Sequence, residues 1–375
     1  MRQRLSLPRL GIAIAIFAVS VSALLMPDLF ETSSPQLSDA RIPMAVLGDS
    51  DSHGYRDSTG FPLNSELRGG AFRQGTLQWT EVLADLRPSH VDLGARGRWG
   101  SRRWQAPLQR LLGLPYRLPR KEDHRYNFAW AGAQCQDLTT GEYRQAERLL
   151  HEMDRAPARW RAGVVVVRIG INTIGMADSL AALARDAAAP EVVAKIDQCA
   201  THVRTAVEQI ARRHPATRWI LVGILDNADW PPYFGRWQSG DEIRHIERGL
   251  DRYDRALQQL AAADPGRRVF VDDRAWFVSR WGARGPDGRP AYHPVVLADG
   301  TQVQHAQGNH PRHSVLQDGH AGLVWNALWA QSLVALMDAS LDARVPSIRD
   351  DEIVSLVQRA LASRDHSGQA PNTDP

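Results

Sequence analysis

Lysine is almost missing from this chain. Lys121 and Lys195 are the only two among 45 basic residues, and a bias this uniform follows genomic base composition rather than function. Charge of one sign is not in excess either: 42 acidic residues leave a net +3, with a pI of about 9.1. A nucleic-acid binder concentrates basic charge in one place, and so small a surplus does not point to such a partner. Cysteine is scarce. Cys135 and Cys199 stand alone, outside any CxxC spacing, which excludes a disulfide-dense scaffold and gives no zinc-ligand pattern. No GxGxxG or GxxxxGK[ST] follows any strand, which disfavours a nucleotide-binding enzyme. No internal repeat is visible. With 43% hydrophobic and 23% charged residues, the chain is neither collagen-like, wholly disordered nor multi-spanning.

The one long uncharged run, Leu10 to Met26, follows Arg2, Arg4 and Arg9. Its 17 residues are short for a membrane span, and Val21-Ser22-Ala23 resembles a cleavage site. Residues 1–26 are therefore read as a signal peptide or an N-terminal membrane anchor. Either exports the rest of the chain, because the arginines stay on the cytoplasmic side. The body is expected in the periplasm or outside the cell, with membrane association possible through residues 10–26. Export would permit a bond between the two cysteines, and two buried free thiols fit equally well. Residues 27–42, rich in Pro, Ser, Thr and Asp, read as a linker.

Beyond the linker, strand and helix patterns alternate. Ile42 to Leu47, Tyr126 to Ala131, Gly163 to Ile169, Arg218 to Leu225 and Arg268 to Asp272 read as strands. The nearly continuous Gly163–Ile169 run suits a central parallel strand buried on both faces. Helical spacing marks Thr76 to Leu86, Glu191 to Arg213, Glu242 to Ala263, Ala321 to Leu336 and Asp350 to Ala362. Gly94 to Arg125 is arginine-rich and reads as irregular. Its default reading is a solvated basic surface; an anionic glycan or lipid headgroup is the sharper one. Residues 363–375 read as a disordered tail. The alternation argues for an α/β fold with a mostly parallel sheet.

In such a sheet ligands bind outside the carboxyl ends of the strands. Four segments put suggestive residues there. Gly48-Asp49-Ser50-Asp51 follows the first strand, where a sharp turn holds Ser50 outward. The second is Asn127 to Ala133, in which Gly132 lets the backbone approach a ligand. The third is Gly170-Ile171-Asn172-Thr173, whose Asn172 amide can be aimed into a cleft. The fourth is Asp318-Gly319-His320, immediately before a helix, where a carboxylate can orient an imidazole that then acts as a general base. His310 and His313 are the rival bases.

In this order the four segments resemble the SGNH hydrolases, also called GDSL esterases and lipases. The helix with Trp79 and Leu83 is similar to that family too. The resemblance implies a flavodoxin-like three-layer α/β/α sandwich with a mainly parallel five-stranded sheet. It implies a catalytic domain over residues 43–341, followed by a C-terminal helix and tail over 342–375, and no metal or other cofactor. Ser50 would be the nucleophile and His320 its base, oriented by Asp318. The N–H groups of Ser50 and Gly132 and the amide of Asn172 would meet the oxyanion. The chain departs from the family pattern at Asp51, where the family's name has leucine, and at Thr173, where many members have aspartate. The acid usually lies three residues before the histidine, a place held here by Gln317. The expected activity is hydrolysis of a carboxylic ester of a lipid or an acylated carbohydrate. A cell-envelope O-acyltransferase using the same site, or an inactive binding protein of the same fold, are the alternatives. The many tryptophans, Trp99, Trp104, Trp130, Trp230 and Trp237 among them, are read mostly as core or loop anchors.

Overall fold

The apolar run from Ile42 opens the first strand of a five-stranded sheet, next to its edge. The structure is a computed structural model and describes residues 40–62, 65–113 and 116–367. Ten strands are named in chain order. They are β1 (Ile42–Gly48), β2 (Val91–Asp92), β3 (Arg96–Trp99), β4 (Lys121–His124), β5 (Val164–Arg168), β6 (Arg218–Val222), β7 (Arg268–Val271), β8 (Val295–Val296), β9 (Gln302–Gln307) and β10 (His313–Val315). The helices are α1 (Trp79–Leu86), α2 (Gln105–Leu111), α3 (Gln145–Asp154), α4 (Ile171–Ile174), α5 (Ala177–Arg185), α6 (Pro190–Arg213), α7 (Gly240–Ala262), α8 (Asp273–Trp281), α9 (Leu323–Leu341) and α10 (Asp350–Ser367).

The main sheet has the order β2-β1-β5-β6-β7, and every pair in it is parallel. Counted among themselves, these strands run 2-1-3-4-5, so the order reverses between β1 and β5. Alternate strand residues feed two cores. Met44, Val46, Val164, Val166, Ile220 and Val222 pack with α1, α8, α9 and α10. Ala45, Leu47, Val165, Val167, Trp219 and Leu221 pack with α3, α5, α6 and α7. Period-two alternation on a sheet covered on both faces makes the three layers. Each fully buried Val or Leu in them stabilises the fold by roughly 1.5–3 kcal/mol.

Two expectations about local structure are corrected. Tyr126 to Ala131 is not a strand. It touches β1 at one bridge, Val46 with Asn127, and β2 takes the neighbouring place at Ile42 and Pro43. The reason is the Asn127 side chain. Its Oδ1 accepts from Ala129 N, and its Nδ2 donates to Ser52 O and Asp123 Oδ2, so local bonds replace the ladder. The Gly94–Arg125 stretch is not irregular throughout. It contains α2 and the antiparallel pair β3–β4, which charged residues such as Arg98 opposite Glu122 conceal from a hydrophobic pattern.

The final helix runs to Ser367, beyond Ala362, and its Ile353, Val354 and Val357 join the core that Met44 and Val46 share with α1, α8 and α9. Among the described residues no helix is long and apolar enough to cross a membrane. Residues 10–26, and with them the expected signal peptide or anchor, lie outside the described residues, as does the tail from 368 onward.

Candidate active site

The strand order reverses between β1 and β5, the place where open α/β sheets take their ligands. Gly48 closes β1, and a Cβ there would collide with the Arg168 carbonyl of β5. The buried Gln145 amide clamps the turn, accepting from Gly48 N at 2.7 Å and donating to Gly48 O at 2.8 Å. Asp49 then ties two loops: its Oδ1 accepts from Asp51 N at 3.1 Å and its Oδ2 from Gly170 N at 3.2 Å. Burial, and secondarily Asp51, pushes the Asp49 carboxyl up to about 8. Ser50 follows, 6% exposed, with its carbonyl held by Gln78 Nε2 at 3.2 Å. Among the described residues, its N–H and Oγ have no hydrogen-bond partner.

The segment with Gly132 lies alongside. Trp130 N donates to Gly48 O at 3.2 Å, and Ala131 N donates to His53 Nδ1 at 3.2 Å. Gly132 has φ +85°, the left-handed region, and its N–H has no acceptor among the described residues. After β5, Asn172 Nδ2 donates to Ala133 O at 3.0 Å, which leaves its second amide proton unused. The hydroxyl of Thr173 accepts from Cys135 N at 3.0 Å. Cys135 and Cys199 are bonded, so the open question of their pairing resolves to a disulfide that pins this loop to α6. Thus the segments that carry Ser50, Gly132 and Asn172 are tied to one another by bonds at Gly48, Asp49 and Asn172.

The fourth segment forms a tight turn after β10. Leu316 N donates to His320 O, Gly319 N to Leu316 O, and Gly319 has φ +83°. In this turn Asp318 Oδ1 lies 3.2 Å from His320 Nδ1 and also accepts from His320 N at 3.2 Å. Burial opposes ionisation of Asp318, but His320 and Arg68 beside it hold its carboxyl well below the usual range. Nε2 of His320 has no partner among the described residues. Two bonds hold the turn in place: Trp230 Nε1 to Gly319 O at 2.5 Å and Tyr55 Oη to Ala321 O at 2.9 Å. The second links it to the segment that follows Ser50. Of the rival bases, His310 Nδ1 accepts from Arg312 N, and His313 Nδ1 is buried without a hydrogen bond among the described residues.

Three groups carry no signal in the sequence. His53 is wholly buried between Phe61 and Trp130. Burial, with Lys121 nearby, lowers it to about 4, so the ring is neutral. Since Ala131 N can only donate to Nδ1, the proton sits on Nε2 and goes to Asp57 Oδ2 at 2.9 Å. Lys121, 1% exposed, donates to Asp123 Oδ2 and to Ala129 O. Asp123 is held down to about 2 against its burial, chiefly by Lys121 and then His53, and also accepts from Gly54 N. Arg68, 250 residues from Asp318 in sequence, donates to it at 2.7 Å. No spacing rule would pair residues so far apart.

A cavity of about 240 Å³ lies beside Asn172, lined also by Gln134, Lys195 and His202. A larger one, about 600 Å³, is lined by Trp99, Tyr116, Phe128 and Arg148 and touches none of the candidate residues. Several arginines of the basic segment are struts: Arg117 donates to the carbonyls of Arg125 and Asn127 and lies 4.1 Å from the centre of the Phe128 ring.

No family model and no curated protein matches the chain. Among solved structures, a lipase from a goat rumen metagenome is similar at 12% identity and TM-score 0.40, over 81% of this chain and 100% of that one. An extracellular lipase from Streptomyces rimosus is similar at 15% identity and TM-score 0.38, over 77% of this chain and 99% of that one.

Proposed function

We propose that the chain is a serine ester hydrolase of the SGNH type. The observation that carries this reading is the Asp318–His320 pair. A carboxylate oxygen lies 3.2 Å from Nδ1, beside Arg68 Nη1 at 2.6 Å, while Nε2 has no partner among the described residues, on a turn tied through Tyr55 to the segment after Ser50. In the proposed reaction Ser50 Oγ attacks an ester carbonyl, and His320 Nε2 takes its proton. The N–H groups of Ser50 and Gly132 and the spare amide proton of Asn172 receive the negative charge on the carbonyl oxygen, each worth about 3 kcal/mol in the transition state. Collapse expels the alcohol, which takes the proton from His320. Water then resolves the acyl-enzyme, with His320 again the base. The substrate is proposed to be an acyl ester of a lipid or of a carbohydrate.

The test is turnover of p-nitrophenyl esters of increasing chain length by the full chain, with no acceptor alcohol added, together with labelling by a fluorophosphonate. The wild type should turn over and be labelled, and Ser50→Ala should lose both. Labelling retained by Ser50→Ala would overturn the assignment, while labelling without turnover until a sugar acceptor is supplied would favour the acyltransferase. Export is part of the proposal and is supported by the Cys135–Cys199 bond, since disulfides persist in oxidising compartments. A reporter active only in the cytoplasm, fused after Ala362, should be silent.

A further inference from the structure

Asp318 is tethered to its own turn, only two residues before His320, and one of its oxygens is spoken for twice. Oδ1 accepts from His320 N and faces His320 Nδ1, both at 3.2 Å. A carboxylate held on one oxygen alone can swing about its Cα–Cβ and Cβ–Cγ bonds. What holds the other oxygen is Arg68. Its main-chain N–H donates to Oδ2 at 2.8 Å and its Nη1 to the same oxygen at 2.7 Å.

The backbone shows how one residue supplies both donors. Arg68 has φ +58°, left-handed for a residue with a Cβ, and Gly69 and Gly70 continue at +104° and +53°. A non-glycine residue in that region is strained, and surrounding contacts must offset the strain. Those contacts are present. The guanidinium, 3% exposed, lies 4.4 Å from the centre of the Phe61 ring and 5.4 Å from that of Tyr55. Nη1 also lies 2.6 Å from His320 Nδ1. Arg68 and Asp318 therefore compete at that nitrogen. A guanidinium can only donate to it, which would leave the proton on Nε2 and disable that atom as a base. The carboxylate accepts from Nδ1–H, which frees Nε2.

We propose that Arg68 is a positioning residue that acts on His320 through Asp318: bound twice to Oδ2, it turns Oδ1 toward Nδ1 and so fixes the imidazole tautomer in which Nε2 is the base. This deepens the serine-hydrolase reading and rests on it. Nη1 stands at both partners, 2.7 Å from Oδ2 and 2.6 Å from Nδ1, and the charge-assisted bond to the anion is the stronger of the two contacts.

The variant to make is Arg68→Gly, since glycine accepts the left-handed backbone and keeps the main-chain bond. Two readouts apply. The first is the ¹⁵N spectrum of histidine-labelled full chain, with the His320 signals assigned from their loss in His320→Ala. The wild type should show Nδ1 protonated, and Arg68→Gly should show mixed tautomers. This readout is independent of turnover, so it stands even if no ester proves to be a substrate. The second is ester hydrolysis: kcat should fall about 10²-fold, the scale of a misplacement near 1 Å, with KM little changed. Added guanidinium ion should restore at least tenfold of the loss. If Arg68→Gly does not fold, Arg68→Lys serves, with the same expected loss of kcat and mixed tautomers. Wild-type tautomer and kcat in the folded variant would overturn the proposal. A loss of kcat with the His320 tautomer unchanged would overturn it as well, leaving Arg68 a structural residue only.

Discussion

Replacing Asp318 by Asn separates charge from shape. An amide of the same size cannot accept from both Arg68 and His320 Nδ1, because one of its two arms carries protons. Ester turnover in Asp318→Asn should fall by about 10⁴, the cost of the wrong histidine tautomer. A loss below tenfold, measured with p-nitrophenyl acetate at fixed pH, would give the orienting role to a backbone carbonyl. His310→Ala and His313→Ala should stay near wild type in the same assay, and His320→Ala should not. His53 is a different kind of residue, buried and neutral, with both ring nitrogens occupied. His53→Leu leaves Ala131 N–H and the Asp57 carboxylate without that partner. With about 1–3 kcal/mol lost for each unsatisfied group, the urea-unfolding free energy should drop by roughly 2–6 kcal/mol. Ser50 and His320 were visible in the sequence because a serine after a strand and a histidine before a helix have local signatures. His53 and Arg68 were not, since each acts through a partner that only folding brings near.

At the level of elements, the loops of the site are braced from outside it. The Cys135–Cys199 bond closes a loop of 64 residues between the 3₁₀ turn after Gly132 and α6. By loop-closure entropy it should contribute about 4 kcal/mol. The double variant Cys135→Ser, Cys199→Ser should therefore unfold at lower denaturant, and thiol reductant should affect the wild type alone. The Leu67–Gly75 segment that carries Arg68 is backed by α10. A Cβ on Gly75 would come within 2.9 Å of Ala360 Cβ and 3.0 Å of its Cα, and the helix backbone cannot yield cheaply. Gly75→Ala should cost about 1–3 kcal/mol as overpacking, read as a lowered thermal midpoint. An unchanged midpoint would mean that the segment and α10 move apart freely.

For the whole molecule, the buried titratable groups shape stability against pH. Burial raises Asp49 and Asp226 to about 8 from 3.8. As pH rises the unfolded chain gives up these protons first, so stability present below about pH 4 is lost up to pH 8. His53 and His305, lowered by burial to about 4 from 6.5, work the other way: the unfolded chain takes up protons first, and stability is lost as pH falls from 6.5 to 4. The two pairs oppose each other between pH 4 and 6.5. Above 6.5, of these four groups only the two carboxyls act, and through them the unfolding free energy should fall by a few kcal/mol toward pH 8. Asp226→Asn should flatten that fall, whereas an equally steep fall in the variant would remove Asp226 as a cause. Below pH 4 the depressed Asp123 adds a further loss, complete near pH 2.

The sequence by itself determined the layers and the edge where chemistry is sought. The apolar stretches of β1, β5 and β6 and the helical spacing of α1, α6 and α7 record which faces are buried, and burial pattern is a local property of the chain. The turns at Gly48 and Gly170 were legible for the same reason, since they end buried strands. Tertiary structure alone decided the rest. It made Tyr126 to Ala131 a side-chain-braced loop instead of a strand, because Asn127 found Ser52 and Asp123 to bond. It paired the two cysteines, and it built β3–β4 from charged residues whose partners face them across the hairpin. It brought Arg68 onto Asp318 across 250 residues. Periodicity registers how often a side chain meets the core, but not which distant side chain it meets there. That is set by how the chain closes on itself, where a guanidinium and a carboxylate lose water together and must satisfy each other.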